Sequence, residues 1–536
     1  MDQIRLFAIA CLLCISPLSA RAETPVAEQI DKWVSEKWQA AKVTPAPLLN
    51  DGLYLRRVML DLAGRIPTVA ELRDYEADSS PDKKERLIQA LMESPDFAFH
   101  QRNELDLLLL ARLTNNNDWR QYLLEATREN RSWDQIFREV VLPDVYVSEN
   151  VGTAAFLRER VRELDDLTND TAVLFFGVNI SCAKCHDHPL VADWQQDHYY
   201  GMASFFQRTY RTKTNLLAEK FDGTLNFKTV TGKEKPAQYM FLTGITKNKK
   251  KIERSEDELK ALQEAVKKAE REDEAEVPVP DFRPRAELVR LALEDNEKHF
   301  FSRNIVNRIW ARLMGQGLVE PLDQMHSDNV ASHPELLVWL SLDLEQHDYD
   351  LRRLIAGIAL SDAYALSSAW PTDDRPSSDL FAVASARPLS PRQLALSTVV
   401  GTMHPDQSPG LSKPEDWEKK REDWENRSNH LAGQLAIPDP NFQVAVEEAL
   451  LFSNNDYITN EFLRDSGNRL VGAVKARETP EDKIDLMFQS VFARPASEKE
   501  RIRITQYLVD RPDREVAALQ QVLWALITSP EFRFNH

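Results

Sequence analysis

The residues of this chain most suited to chemistry are two cysteines and a histidine, Cys182, Cys185 and His186, in the order Cys-x-x-Cys-His. This spacing is typical of c-type haem attachment, in which both thiols bond to haem vinyl groups and the histidine ligates the iron from the proximal side. The chain has only four cysteines, and the other two, Cys11 and Cys14, lie near the N-terminus. The pattern predicts one covalently bound haem c.

Two other kinds of site use the same residue types. A redox or structural disulfide would join Cys182 to Cys185, although thioredoxin-type motifs occur in a βαβ context and this motif follows the apolar segment 173–178 of a mostly helical chain. A zinc ion could bind both cysteines with His186 or His188, but structural zinc takes four ligands and no second Cys-x-x-Cys or His-x-x-x-His cluster is present. Both alternatives stay open.

The sixth position of the iron would separate electron transfer from ligand binding or catalysis. His198 and Met202 are far enough along the chain to fold back over a haem, and they are the two candidates for the distal ligand. A carboxylate near the motif could accept the other N–H of the proximal histidine. The candidates for that role are Asp187, Asp193 and Asp197.

Most of the chain that must position these residues has the sequence signals of helices. The chain has only 16 glycines, and apolar residues recur at helical spacing, so we predict a mainly α fold. A serine or threonine followed three residues later by Glu or Gln predicts a capping box, and Ser-Pro or Thr-Pro predicts proline at the first helical position. The predicted boxes begin at Thr68, Ser332, Ser390 and Ser497, and the predicted prolines are Pro81 and Pro480.

One pattern occurs near both ends of the chain. Near the N-terminus the pattern is Arg-Ile-Pro-Thr at 65–68, followed by a predicted helix and then by Ser-Pro-Asp-Phe at 94–97. Near the C-terminus it is Arg-Pro-Ala-Ser at 494–497, followed by a predicted helix and then by Ser-Pro-Glu-Phe at 529–532. The match predicts two related helical hairpins, unless proline-capped helices arose there independently.

Two segments differ from this helical pattern and divide the chain. Residues 221–246 mix β-branched and aromatic residues with three glycines and predict a small β hairpin. Residues 247–276 are densely charged with heptad-like apolar spacing and predict a charged helical arm, followed by a Pro-rich linker to residue 280. We therefore expect an N-terminal module over 23–246 and a C-terminal module over 281–536.

The N-terminus and the overall charge suggest where the protein acts. Residues 6–18 are nearly all apolar and Ala-Arg-Ala follows at 20–22, which predicts a cleaved signal peptide over 1–22 and export to the periplasm or cell envelope. No later run is long enough to span a membrane. The chain carries 67 Lys and Arg against 85 Asp and Glu, a net charge of −18, so nucleic acid is not an expected partner.

Beyond the Cys-x-x-Cys-His motif, the sequence offers little that points to a reaction. There is no Walker loop, no G-x-G-x-x-G, no G-x-S-x-G and no HExxH, so whether the protein is an enzyme stays open. The polar segment 325–329 precedes a predicted helix and could line a pocket or simply satisfy the helix end.

The chain resembles a two-module secreted family of planctomycetes, in which a cytochrome-associated domain of unknown function precedes a second planctomycete domain of unknown function. The strings that carry the resemblance to the first module are 57–68, 94–97, 182–189, 199–201 and 205–206, and those of the second are 304–310, 315–319, 332–337 and 529–536. The resemblance implies haem c at the motif and leaves both the distal ligand and the reaction open.

These observations lead to two hypotheses of different classes. The first is an exported c-type cytochrome-like protein that carries one haem on Cys182, Cys185 and His186, for electron transfer to an unknown redox partner or for a haem-dependent oxidation. The second is a non-catalytic envelope or interaction protein whose Cys-x-x-Cys-His loop is a disulfide or a small metal site.

Overall fold

The computed structural model describes residues 25–111, 116–143, 152–189, 191–247, 254–273, 275–407, 409–411, 416–435 and 457–536. The predicted signal peptide over 1–22 lies outside these residues. In the part of the chain that is described, no helix is both long and apolar enough to cross a membrane.

The fold is mainly α, as predicted. The helices of the first half are α1 Val26–Ala41, α2 Asp51–Val58, α3 Val69–Ala77, α4 Lys83–Met92, α5 Pro95–Leu110, α6 Asn117–Arg128, α7 Trp133–Val141, α8 Ala155–Arg160, α9 Leu164–Phe176 and α10 Gln196–Phe206. A π-helical turn, Met59–Ala63, follows α2, and a 3-10 turn, Ser181–Lys184, follows α9.

The predicted charged arm forms helix α11, Glu256–Arg271, whose few buried residues pack on a small apolar cluster. The helices that follow it are α12 Pro284–Leu293, α13 Phe300–Met314, α14 Pro334–Gln346, α15 Leu351–Leu360, α16 Pro391–Gly401, α17 Trp417–Ala432, α18 Leu470–Lys475, α19 Pro480–Phe492, α20 Glu498–Val509, α21 Glu515–Ile527 and α22 Pro530–Arg533.

Within the described residues, the β strands form two-stranded antiparallel pairs, and the other β contacts are isolated bridges. Three pairs lie between α10 and α11, where the sequence predicts a single hairpin: β1 Thr209–Arg211 with β2 Leu217–Glu219, β3 Asn226–Lys228 with β4 Glu234–Pro236, and β5 Tyr239–Met240 with β6 Thr246–Lys247. The fourth pair, β7 Arg387–Pro388 with β8 Phe534–Asn535, joins segments far apart in the sequence.

Three of the four predicted capping boxes form. Thr68, Ser390 and Ser497 each accept from the main-chain N–H three residues later, while Glu71, Gln393 and Glu500 reach back to the cap. The prediction at Ser332 is wrong, because α14 begins one residue later with His333 at its N-cap and no capping side chain. Pro480 starts its helix as predicted, whereas Pro81 lies in a turn before α4.

The pattern repeated near the two chain ends has the same contacts at both places. The guanidinium of Arg65 donates to Glu71, the N3 residue of α3, and to Asp96 in the first turn of α5. Arg494 makes the equivalent bonds at the other end of the chain, to Glu500 and Glu531. The residue before each arginine closes the preceding helix with positive φ: Gly64 at 70° and Ala493 at 56°. The repeat is therefore a shared structural unit.

The main hydrophobic core includes residues from both sides of the arm. Phe137 lies with its ring centroid 4.7 Å from that of Phe175 and 4.8 Å from that of Phe301 in α13. A second core is formed mostly by helices after residue 388, together with Leu60, Ile66 and Val69. The module boundaries at 246 and 281 stay predictions.

A buried carboxylate joins two of the strings that carry the family resemblance. Asp61, in the π-helical turn, accepts two 2.8 Å hydrogen bonds from the guanidinium of Arg387, one of 2.6 Å from the Tyr364 hydroxyl and one of 2.9 Å from the Asn535 amide. A buried charge is stable only when its hydrogen bonds are satisfied. The last residues of the chain are thus held against the first module.

Candidate haem-attachment site

The Cys-x-x-Cys-His loop begins where α9 ends. Gly177 closes the helix with φ at 68°, a conformation that favours glycine. Asn179 then accepts from the Ser181 main-chain N–H and from the Ser181 hydroxyl, which is an Asx turn that starts the 3-10 turn Ser181–Lys184. A single tight turn thus carries Cys182 and presents Cys185 and His186 directly after it.

Residues of the second module fix the end of α9. The last carbonyls of a helix have no partner within the helix and need one from elsewhere. The Asn304 amide donates to the carbonyl of Leu174 at 2.6 Å, and the Arg308 guanidinium donates to that of Val173 at 2.7 Å. Both donors lie on α13. The position of the motif therefore depends on helices from both sides of the arm.

The far side of the loop is held by Gln196, the first residue of α10. Its amide Nε2 donates to the carbonyl of Cys185 at 3.2 Å, and its Oε1 accepts from the main-chain N–H of Val230 at 3.1 Å. Val230 lies in the turn between β3 and β4. The Asp187 carboxylate accepts from the Gln196 main-chain N–H at 3.0 Å. This buried glutamine thus ties the motif to α10 and to a hairpin.

An ion pair anchors the middle of the motif. Lys184 donates to the Asp165 carboxylate, which also accepts from the Tyr199 hydroxyl. These hydrogen bonds, that from Lys184 first, lower the pKa of Asp165. The same bond to Asp165 raises the pKa of Lys184. The Tyr200 hydroxyl donates to the Lys184 carbonyl at 3.1 Å, and its ring stacks on Phe227 in β3 at 4.1 Å.

The three residues with the predicted chemistry are all exposed. Cys182 and Cys185 are free thiols with exposed side chains, and His186 is exposed as well. Ala183, between the two cysteines, is fully buried in the main core. The alanine therefore anchors the turn while both sulfur atoms point out of the core.

The hydrogen bonds of the nearby histidines define which ring nitrogen carries the proton. Nδ1 of His186 lies 2.8 Å from the carbonyl oxygen of Asp187, which can only accept, so Nδ1 is the donor and Nε2 of the neutral ring keeps its lone pair. Nδ1 of His188 and of His198 instead accept main-chain N–H groups, from Val191 at 3.1 Å and Gln195 at 3.2 Å. The neutral forms of those two rings therefore carry their proton on Nε2.

The residues predicted for the distal position lie in different surroundings from the cysteines. Met202 is 0% exposed within the main core, so it would have to leave that core to reach an iron atom. His198 closes the start of α10, and burial lowers its pKa. The geometry favours neither residue, and the distal ligand stays a prediction.

The predicted carboxylate partner of His186 is replaced by a main-chain carbonyl. The carboxylates of all three candidates have other partners: Asp187 accepts from Gln196, Asp193 from Ser327 and Asp197 from Lys235. The prediction was wrong because Nδ1 already reaches the adjacent carbonyl of Asp187.

The two alternative sites can be compared with the same geometry. The thiols of Cys182 and Cys185 are not joined in a disulfide. Within the described ranges, no three His, Cys, Asp or Glu side chains come together in a group that could hold a metal ion. The donor set that the loop does present, two thiols and one imidazole lone pair, fits haem attachment.

Comparisons with known proteins identify two modules in the chain. Residues 29–211 match the family model PSCyt2, a protein of unknown function (DUF1549), and residues 284–445 match PSD1, a protein of unknown function (DUF1553). No curated protein and no solved structure matches the chain significantly. The first match contains the Cys-x-x-Cys-His loop, and the second contains Asn304 and Arg308, which fix the helix before it. With these two modules in this order, the chain belongs to the two-module planctomycete family that its sequence resembles.

Proposed function

We propose that this protein is an exported c-type cytochrome-like protein that carries one haem, bonded to Cys182 and Cys185 and ligated by His186, and that it transfers electrons to a partner protein. The observation that carries the proposal is the hydrogen bond from His186 Nδ1 to the Asp187 carbonyl. Histidines that ligate a metal commonly donate their other N–H to a carbonyl or carboxylate, which fixes the tautomer and the ring orientation.

The chemistry of attachment suits two free, exposed thiols. Each S–H adds across one vinyl C=C bond: sulfur bonds to one carbon and the hydrogen goes to the other, so no oxidant or reductant is consumed. A disulfide would first have to be reduced. When bound, haem would supply a one-electron couple, and the chain's own residues would orient it: Ala183 and the Asp165–Lys184 pair by fixing the turn, and Gln196 by tying it to α10.

Exposure of the motif favours electron transfer over a haem-dependent oxidation. An oxidation needs a pocket that shields the substrate beside the iron from water. Here Cys182, Cys185 and His186 lie on the surface, and they line neither the cavity of about 370 Å³ nor the cavity of about 770 Å³ that the described residues form. A surface haem edge suits contact with a redox partner. The family name of the first module, PSCyt2, hints at cytochromes and is consistent with this role.

The proposal includes export, because thioether attachment takes place outside the cytoplasm and the predicted signal peptide over 1–22 would direct the chain there. The alternative is a non-catalytic envelope or interaction protein whose loop forms a disulfide in an oxidising compartment, or a small metal site. This alternative predicts an exported protein without visible absorption.

The test is to express the full chain with intact cytochrome maturation and to record reduced and oxidised absorption spectra of the exported protein. We expect Soret and α bands, and a haem-stained band after denaturing electrophoresis. Cys182→Ala with Cys185→Ala should remove the stained band. Ser79→Ala, a change at an exposed serine outside the motif, should keep it. A colourless wild-type protein with a Cys182–Cys185 disulfide would reject the proposal and support the alternative.

A further inference from the structure

A cavity of about 370 Å³ lies where the two modules meet. Its walls combine residues that precede α11, among them Trp194, with residues that follow it, among them Phe300 and segment 325–331. The ring centroids of Trp194 and Phe300 are 6.0 Å apart, which gives the cavity one aromatic side. The volume is within the range of sites for small molecules. The polar segment 325–329 lines this cavity, which is one of the two roles that the sequence predicts for it.

Three buried polar atoms on the wall have no hydrogen-bond partner: Nε of Arg303, Oγ1 of Thr243 and Nδ1 of His326. A buried polar atom without a hydrogen-bond partner is unfavourable, and three such atoms lie around this one cavity. They come from three separate segments: α13, the turn between β5 and β6, and the loop before α14. Nε2 of His326 lies 3.3 Å from Oε1 of Gln324, which can only accept, so Nδ1 of the neutral ring is an acceptor. A ligand that accepts hydrogen bonds would supply partners for Nε of Arg303 and the Thr243 hydroxyl.

The charges at the cavity favour a ligand with negative charge. Lys298 and Arg303 bring two positive charges, and burial lowers the pKa of Arg303, as expected for a cation without a directly bonded carboxylate. The one carboxylate on the wall, Asp193, already accepts from the main-chain N–H of Ser327 at 2.8 Å and from its hydroxyl at 2.9 Å. Although burial acts to raise the pKa of Asp193, these bonds lower it overall.

The acidic residue whose charge acts on Arg303 is also occupied. Asp295 accepts main-chain N–H groups of Glu297, Lys298 and Phe300 at 3.2, 3.0 and 3.2 Å, which is the usual role of a carboxylate at a helix start. It attracts the charge of Arg303 without bonding to it. The guanidinium therefore keeps its donors for the cavity.

His198 adds a further donor. Because its Nδ1 accepts from Gln195, the neutral ring carries its proton on Nε2, and the ring lines the same cavity. Arg303, Lys298 and His198 thus offer donors to the cavity, whereas Asp193 is already bonded and Nδ1 of His326 can only accept.

We propose that this cavity binds a small molecule through an oxyanion group, a carboxylate, phosphate or sulfate, held by Arg303 and Lys298 of the second module with Thr243 and His198 of the first. Arginine binds such groups through two parallel N–H···O bonds, which lysine cannot reproduce. None of Cys182, Cys185 and His186 lines this cavity, so we expect anion binding without attached haem.

The test is calorimetric titration of the full exported chain with inorganic phosphate, sulfate and acetate in turn, each against sodium chloride at equal ionic strength. We expect saturable binding of at least one of the three, and the preferred anion identifies the group. Arg303→Met should weaken binding by about tenfold or more, and Arg303→Lys should weaken it less. Lys260→Met, which removes an exposed cation on α11, is the matched control and should leave binding unchanged.

Thr243→Val is a second variant, which tests the contribution of the Thr243 hydroxyl without changing the charge of the cavity. The change keeps the side-chain shape and removes an unpaired buried hydroxyl, so the fold should be as stable as before without ligand, while anion binding weakens several-fold. The titration is repeated on Cys182→Ala with Cys185→Ala, where the affinity should not change. Absence of saturable binding for all three anions, or equal binding by Arg303→Met and Lys260→Met, would overturn the proposal.

Discussion

Nδ1 of His186 lies 2.8 Å from the carbonyl oxygen of Asp187, and this contact distinguishes His186 from the other histidines near the motif. A carbonyl can only accept, so the contact leaves the Nε2 lone pair of the neutral ring available to a metal. In His188 and His198 the same nitrogen accepts a main-chain N–H, and Nε2 carries the proton instead. Only one of these three rings presents a ligating atom without a change of tautomer.

This difference predicts the result of two single substitutions. His186→Ala should abolish the absorption spectrum of a histidine-ligated haem in the exported protein, because the proximal ligand is lost. His188→Ala is the matched control and should keep the wild-type α band. Reduced-minus-oxidised difference spectra are the measurement. If His188→Ala altered the α band while His186→Ala did not, the assignment of the ligand would be wrong.

The repeated unit contains Arg65 in its first copy and Arg494 in its second, and replacing each arginine by methionine should have unequal effects on stability. Arg65, Glu71 and Asp96 have fully buried side chains, and the two acids raise the pKa of Arg65 although burial opposes its charge. Arg65→Met removes the cation bonded to Glu71 and one of the two cations paired with Asp96, the other being Arg421. Because the site is fully buried, this loss should lower the free energy of unfolding by about 3–5 kcal/mol. The measurement is urea-induced unfolding followed by circular dichroism.

Arg494→Met is the control. Arg494 also bonds to two acidic residues, Glu500 and Glu531, but it lies at a more exposed site. The side chains of Arg494 and Glu531 are 20% and 27% exposed, and exposed ion pairs contribute about 1 kcal/mol or less. We therefore expect a small loss for this variant. Equal losses for the two variants would show that burial does not set the energy of the unit.

The features of the fold that the sequence predicts correctly are local ones. A capping box depends on residues three apart, and the repeated arginine unit depends on short strings, so both can be recognised without knowing the tertiary contacts. The pairing of β7 with β8 cannot be recognised in this way, because two-residue strands have no periodicity and these two strands are far apart in the chain. The buried network around Asp61 was missed for the same reason.

The candidate site also has some features that the sequence predicts and others that depend on tertiary structure. The spacing of Cys182, Cys185 and His186 predicts their chemistry, but the partner of Nδ1 depends on the backbone path after His186 and could not be read from residue types. The anion cavity draws Thr243 and Arg303 from separate segments. Its only sequence signals were the polar segment 325–329 and His198, and His198 was predicted for a different role.

The support of the motif by Gln196 predicts a local change that hydrogen exchange can detect. Gln196→Ala removes the bonds to the Cys185 carbonyl and from the Val230 N–H, so stability should fall by about 1–3 kcal/mol. The Val230 amide should lose protection from exchange. Gln121→Ala, which changes an exposed glutamine on α6, is the control and should alter neither quantity. Unchanged protection of the Val230 amide in Gln196→Ala would mean that Gln196 does not hold the hairpin.

Acidification should destabilise the fold through His333, the N-cap of α14. Its side chain is 4% exposed with Nε2 unpaired, and burial, followed by the nearby charge of Lys37, lowers its pKa to about 4. Below the ordinary histidine pKa of about 6.5, the unfolded chain binds a proton that the folded chain does not, so stability falls as the pH falls from about 6.5 towards 4.

Between about pH 7 and about pH 5, His333 should account for a loss of about 2 kcal/mol in the free energy of unfolding, measured with urea. Between these two pH values, the free energy of unfolding of His333→Asn should fall by about 2 kcal/mol less than that of the wild type. His430→Asn, a change at an exposed histidine, should behave as the wild type. The same pH dependence in His333→Asn and the wild type would show that His333 titrates alike in the folded and unfolded chains.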